Sequence, residues 1–172
     1  MLSVSPPSLA AVTTAAHLAR IDALLADSHP FPLRKREYAA GFAGPGYRVE
    51  ELSVSRDFFD DAEGQAVERE LDAAGARLDA LARVFTARWG RAQAVDLFSY
   101  LRASFDADQD GGHPVPEPVA LLCQKAVTLQ VWTLPGGGRW IGLGVGQEDR
   151  ELPVVLYAVL AAAPAPAPAA RA

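Results

Sequence analysis

The chain has 172 residues, half of them hydrophobic and 22% charged, which suits one globular domain able to bury a core. A formal net charge of −5 opposes loose, electrostatically driven binding to nucleic acid or to an anionic membrane surface. Cys123 is the sole cysteine, so no intrachain disulfide forms and nothing points to an oxidising compartment.

The first residues, MLSVSPPSLAAVTTAAHLAR, carry no basic n-region and reach Thr, His and Arg before any long apolar core. That pattern predicts no secretory signal. The longest apolar run, Leu152 to Ala163, falls short of the roughly 20 residues that a membrane helix needs. A soluble cytoplasmic protein is the expectation. Its cations are nearly all arginine, with lysine only at Lys35 and Lys125.

Residues 1–7 are polar and proline-bearing and read as a loose arm. Ser8 is placed to cap a helix running to about Ala26, with Leu9, Val12, Ala16, Ala19, Ile21, Leu24 and Leu25 on its apolar side. Prolines, glycines and the basic run Leu33-Arg34-Lys35-Arg36 make 28–46 an irregular connection. Tyr47 to Val54 reads as a strand. Its alternation changes phase between Val49 and Leu52, which predicts a bulge near Glu50–Glu51. From about Ala62 to Trp89 the apolar residues Val67, Leu71, Ala74, Leu78, Leu81 and Phe85 recur every three or four positions. That spacing makes one helical face, and Gly90 is a natural stop. Ala94, Leu97, Phe98, Leu101 and Phe105 mark a shorter helix, and Pro116 to Cys123 a brief one.

Two alternating runs then flank Pro135-Gly136-Gly137-Gly138 and predict a β-hairpin over 125–147. A three-residue loop would gather Val127, Leu129, Val131, Ile141, Leu143 and Val145 on one face. Trp132, Trp140, Gly142, Gly144 and Gly146 would share the other. Glycines weaken a strand, so a face of glycine and tryptophan implies close approach, by a covering element or by a ligand. Their G-x-G-x-G spacing inside a strand is not a dinucleotide fingerprint. The acidic corner Gln147, Glu148, Asp149, Arg150 and Glu151 reads as the N-terminus of an apolar helix ending near Ala163. From Pro164 to Ala172 the low-complexity Pro/Ala run reads as a disordered tail.

Candidate chemistry is sparse. Asp106, Asp108, Asp110, Gly111 and Glu117 follow the pattern D-x-D-x-D-G-x5-E, and residues 106–117 resemble an EF-hand calcium loop. The resemblance implies side-chain oxygens from Asp106, Asp108 and Asp110, the Gly112 carbonyl, both carboxylate oxygens of Glu117, and a sharp turn at Gly111. His113 stands where the family has an aliphatic residue, Pro114 offers no side-chain ligand, and the sequence holds no second loop. Cys123 lies in the apolar run LLCQK and reads as a small buried hydrophobe. His17, His29 and His113 lack ligand spacing.

These patterns predict an α+β domain over 1–163: a small antiparallel sheet built round the hairpin and packed against amphipathic helices, including the C-terminal one. The leading function is a non-enzymatic binding protein of adaptor, antitoxin or immunity type with a protein partner. Its site is Trp132, Trp140, Gly142 and Gly144 with Glu148 and Asp149. The alternatives are a calcium- or small-ligand-binding protein through Asp106–Glu117, or an enzyme with a noncontiguous site. No cofactor other than calcium is implied, and neither nucleic acid nor membrane is an expected partner.

Overall fold

The computed structural model describes residues 9–60, 64–110 and 114–167, with side chains outside the description at 9–12 and 107–110. The arm, Ser8, the start of the second helix at Ala62, and the tail from Pro168 lie outside the described residues. Helices are α1 (Leu9–Ala26), α2 (Gln65–Trp89), α3 (Leu97–Asp110) and α4 (Val119–Leu122). Strands are β1 (Arg36–Tyr38), β2 (Gly41–Gly44), β3 (Tyr47–Val54), β4 (Gln93–Asp96), β5 (Thr128–Thr133), β6 (Arg139–Gly146) and β7 (Val155–Ala162). All seven strands join one antiparallel sheet in the order β1-β2-β3-β7-β6-β5-β4, so the α+β class holds.

The sheet is covered on both faces. On one, α1 and α2 set Ile21, Leu24, Leu78, Leu81 and Phe85 against Leu52, Trp132, Ile141, Leu143, Leu156, Ala158 and Leu160. On the other, Leu97, Val119, Leu122 and Cys123 lie against Tyr47, Val49, Val95, Leu129, Val131, Trp140, Tyr157 and Val159. α2 buries the C-terminal part of the predicted stripe, Ala74, Leu78, Leu81 and Phe85, whereas Val67 is half-buried and Leu71 is exposed. Gly90 ends the helix at φ 87°, its N–H bonded to the Thr86 carbonyl.

Two-sided burial explains the main correction. Leu152 to Ala163 is not a helix; Val155–Ala162 forms β7, the centre of the sheet. Both its odd and its even residues must be apolar, because each set enters a different core. Such an unbroken apolar run lacks the alternation that distinguishes a half-buried strand from a buried helix.

Three further strands replace expected irregular or helical backbone. β1 and β2 lie within 28–46, where β2 is bracketed by Gly41 and Gly44. A Cβ on Gly41 would meet the Val49 carbonyl oxygen at 2.0 Å, so only glycine lets β2 approach β3 so closely. β4 takes Gln93–Asp96 from the expected third helix. The Asp96 carboxylate caps α3, accepting from the Phe98 N–H at 3.0 Å and the Ser99 hydroxyl at 2.7 Å, and thereby starts the helix at Leu97. In β3 the register shifts between Glu51 and Ser53, slightly later than the predicted bulge.

The hairpin loop also differs. Thr133 pairs with Trp140, and the Leu134 N–H reaches the Arg139 carbonyl at 3.0 Å, leaving a four-residue loop, Pro135–Gly138. Positive φ at Gly136 (90°) and Gly137 (70°) makes this loop accessible to glycine. An even loop reverses the expected face assignment. Leu129 and Val131 share a face with Trp140 and the glycines, while Trp132 joins Ile141 and Leu143. With a core on each side, neither face has to be wholly aliphatic, and the register no longer follows from alternation alone.

Candidate functional site

The predicted tryptophan–glycine surface is interior. Trp132, 1% exposed, lies edge-on to Phe85 with ring centroids 5.2 Å apart and donates its indole N–H to the Gly90 carbonyl at 3.0 Å. Trp140, 2% exposed, sits in the opposite core and donates to the Ala162 carbonyl at 3.1 Å. The two rings therefore do not flank a common groove. The glycines make room within the chain itself. A Cβ on Gly142 would approach Leu129 Cδ2 at 2.9 Å and Trp140 Cζ3 at 3.2 Å. One on Gly144 would come within 3.1 Å of the Thr128 carbonyl oxygen.

Glu148 and Asp149 lie exposed in the β6–β7 connection, not at a helix N-terminus. The Gln147 side chain closes that connection by donating to the carbonyls of Arg150 (3.0 Å) and Leu152 (2.8 Å). Glu148 pairs with Lys125, whose ammonium stands 5.9 Å from the Phe42 ring centroid.

The calcium-loop resemblance finds a different backbone. α3 runs through Asp110, so Asp106, Asp108 and Asp110 occupy helix where the resemblance requires an irregular loop. The intervening Gly111, Gly112 and His113 lie outside the described residues. Both oxygens of Glu117 are already engaged, one by Lys35 and one by the Tyr47 hydroxyl at 2.8 Å. Among the described residues no group of three or more His, Cys, Asp or Glu side chains could hold a metal ion.

What the fold does build is a cleft of about 660 Å³ over the β1–β2–β3 end of the sheet, walled on the far side by Leu121, Gln124 and Lys125. β1 contributes Arg36, Glu37 and Tyr38, β2 contributes Phe42 and Ala43, and β3 contributes Tyr47 and Glu51. The chain's two lysines, Lys35 and Lys125, both line it, and each is paired with a glutamate, Glu117 and Glu148. Local patterns could not show this site, since its walls come from 35–51 and 121–125.

Tyr47 and its partner Glu117 hold each other's protonation states. Burial, then the hydrogen bond to Glu117, pushes the Tyr47 hydroxyl well above its ordinary value, so it stays protonated and donates. Burial alone would raise Glu117, but the hydrogen bonds from Lys35 and Tyr47 outweigh it and hold the carboxyl below its ordinary range. Beside the cleft, burial followed by the charges of Glu51 and Glu148 keeps the Tyr157 hydroxyl protonated as well. Cys123 is 4% exposed, its thiol lies 3.4 Å from the Ala120 carbonyl, and burial pushes its pKa up, so it packs as a small apolar residue.

One buried group escaped the sequence patterns. His17, on α1, is 6% exposed and its Nδ1 has no hydrogen-bond partner. Arg20 beside it binds the Glu51 and Leu52 carbonyls, both at 3.1 Å, and Glu50 at 3.0 Å. A histidine on an amphipathic helix offers no periodic signal distinguishing it from a surface residue.

No family model, curated protein or solved structure matches the chain. Among the described residues no helix is long and apolar enough to cross a membrane.

Proposed function

We propose that the chain is a binding protein that seats an extended, mixed-charge segment of a partner protein in the Lys35–Lys125 cleft. The observation carrying this reading is the cleft's composition. Half-buried Phe42 and exposed Tyr38 line it over the buried Tyr47, together with side chains of both signs: Lys35, Arg36, Glu37, Glu51 and Lys125. The accessible rings of Phe42 and Tyr38 give a peptide contact area at little entropic cost, and lining charges of both signs select side chains of both signs. A polyanion gains little there, because both lysines are already neutralised by glutamates and the chain carries −5 overall. The short, exposed β1 lies along the same cleft and gives a bound strand an edge to pair with.

The lysine placement supplies the test. Peptides selected from a displayed random library against the intact protein are bound, and the complex is treated with an amine-acetylating reagent. Lys35 and Lys125 should both be protected, and Phe42→Ala should abolish selection without altering the circular dichroism spectrum. Tight peptides that leave both lysines fully reactive, or that bind Phe42→Ala unchanged, refute the assignment. A small organic ligand is the second reading, favoured by a volume inside the roughly 300–1,000 Å³ typical of ligand pockets. It predicts small-molecule thermal shifts without any selectable peptide.

A further inference from the structure

The C-terminal run beyond β7 does not leave the protein directly. The Ala163 N–H bonds the Gly138 carbonyl at 3.0 Å, Ala165 packs on the apolar layer that contains Trp140, and Ala165 and Pro166 are half-buried. The Pro166 carbonyl accepts from Gln93 Nε2 at 2.9 Å, and the Ala167 carbonyl accepts from the Tyr100 hydroxyl at 2.9 Å. The first residues of the expected disordered tail are thus held, and held by side chains rather than by a strand ladder.

The run bends at Ala163–Pro164, where the peptide bond is cis, and continues without regular secondary structure through Ala167. From β7 the segment passes β6 and β5 to reach edge strand β4, a lateral distance of about 14 Å at three strand spacings. Alternating prolines fix φ and remove N–H groups that would otherwise need partners, leaving carbonyls as the polar handles. The seat supplies two neutral donors aimed at consecutive carbonyls, with an apolar surface beneath. Aromatic-lined grooves elsewhere recognise proline-rich segments by the same combination.

We propose that the α3–β4 margin, centred on Gln93 and Tyr100 over the Trp140 layer, is a binding site for extended, uncharged proline–alanine segments. The chain's own tail fills it, so a proline-rich segment of a partner must displace that tail to bind. The site lies apart from the Lys35–Lys125 cleft and stands or falls independently of it.

The test uses a chain ending at Ala163 and a synthetic peptide of sequence APAPAPAARA, with calorimetry and amide chemical shifts as readouts. The truncated chain, checked by circular dichroism, should bind the peptide and shift amides of Gln93, Tyr100 and their neighbours. Binding to the intact chain should be at least tenfold weaker, because the tethered tail competes at a high effective concentration. Tyr100→Phe and Gln93→Leu should each weaken binding to the truncated chain by roughly 2- to 10-fold, the worth of one hydrogen bond. A Gly/Ser peptide of equal length should not bind. A folded truncated chain that ignores the peptide at millimolar concentration, or binds the Gly/Ser control equally, overturns the proposal. Should truncation unfold the protein, the intact chain decides: the amides of Ala165 and Ala167 should be rigid by heteronuclear relaxation and become mobile in Tyr100→Phe/Gln93→Leu. Mobility already present in the wild type overturns it.

Discussion

The glycines of β6 provide the sharpest test of whether that strand serves packing or a ligand. At Gly146 a Cβ would stand 2.0 Å from the Lys125 carbonyl oxygen and 2.7 Å from its carbon, far inside the roughly 3.3–3.6 Å of a close carbon–oxygen contact. Backbone cannot rotate away as a side chain can, so Gly146→Ala must separate the strand from Ala126, its bridge partner. Overpacking of this kind costs about 3 kcal/mol, near the upper end of its usual range. For a chain of this length that lowers Tm by roughly 6–12 °C. Gly142→Ala meets only side chains, Leu129 and Trp140. Moving Leu129 off its rotamer costs about 0.5–1.5 kcal/mol, while the stiffer unfolded chain returns about 0.4–1 kcal/mol. Its net effect should stay within about 1 kcal/mol. Gly144→Ala should behave similarly, since the Thr128 carbonyl at 3.1 Å needs to yield only slightly. Urea and thermal unfolding followed by circular dichroism measure all three. The Leu129→Ala cost should shrink in the Gly142→Ala background, because the added methyl occupies part of the vacated space. A Gly146→Ala protein that melts with the wild type refutes the argument. So does a Gly142→Ala protein that shows no coupling to Leu129.

His17 should make stability pH-dependent. Burial first, and then the charges of Arg20 and Arg77, lower its pKa below the ordinary value for histidine, against a backbone hydrogen bond at Leu52 that raises it. The unfolded chain therefore binds this proton more readily, and the stability contribution is lost as pH falls from above 6.5 through the folded-state value. Arg20 and Arg77 are themselves engaged by Glu50 and Glu70, so neither carboxylate is free to neutralise a protonated ring. Urea midpoints at pH 7.5 and 5.5 should differ more for the wild type than for His17→Gln; equal differences reject the assignment. Tyr47→Phe removes the hydroxyl that fixes Glu117 and should cost about 1 kcal/mol. Glu117→Gln in that background should add less than it does alone, and strict additivity in unfolding experiments would contradict the coupling.

Sequence patterning located what one-sided burial encodes. α2 faces solvent on one side, so Ala74, Leu78, Leu81 and Phe85 stand out against polar neighbours. β5 and β6 were visible as alternating runs bounded by a glycine turn, and the phase change in β3 was visible between Val49 and Leu52. Illegible were the elements for which periodicity carries no information. β7 is apolar throughout because both faces are core, and β1, β2 and β4 are only three or four residues long. The hairpin faces depended on whether the loop held three residues or four, a difference of one position that exchanges the partners of both tryptophans. The cleft depended on a fold placing Lys35 beside Glu117 and Phe42 beside Lys125, pairs separated by about eighty residues that no local window relates.

Burial of both faces also restricts where the sheet itself can interact. A sheet with two packed cores has only its edges and the ends of its strands left for recognition. The two edges are treated differently here. β4 has its margin occupied by the tail through Gln93 and Tyr100. β1 is exposed at all three residues and pairs on one side only. Arg36 and Glu37 on so short a strand discourage indiscriminate edge-to-edge aggregation. In the proposed complex the same charges select a partner strand whose own charges match them, and the Phe42 and Tyr38 rings reward one that also brings apolar side chains. An open but charged edge beside the cleft is therefore the feature on which the proposed strand addition rests.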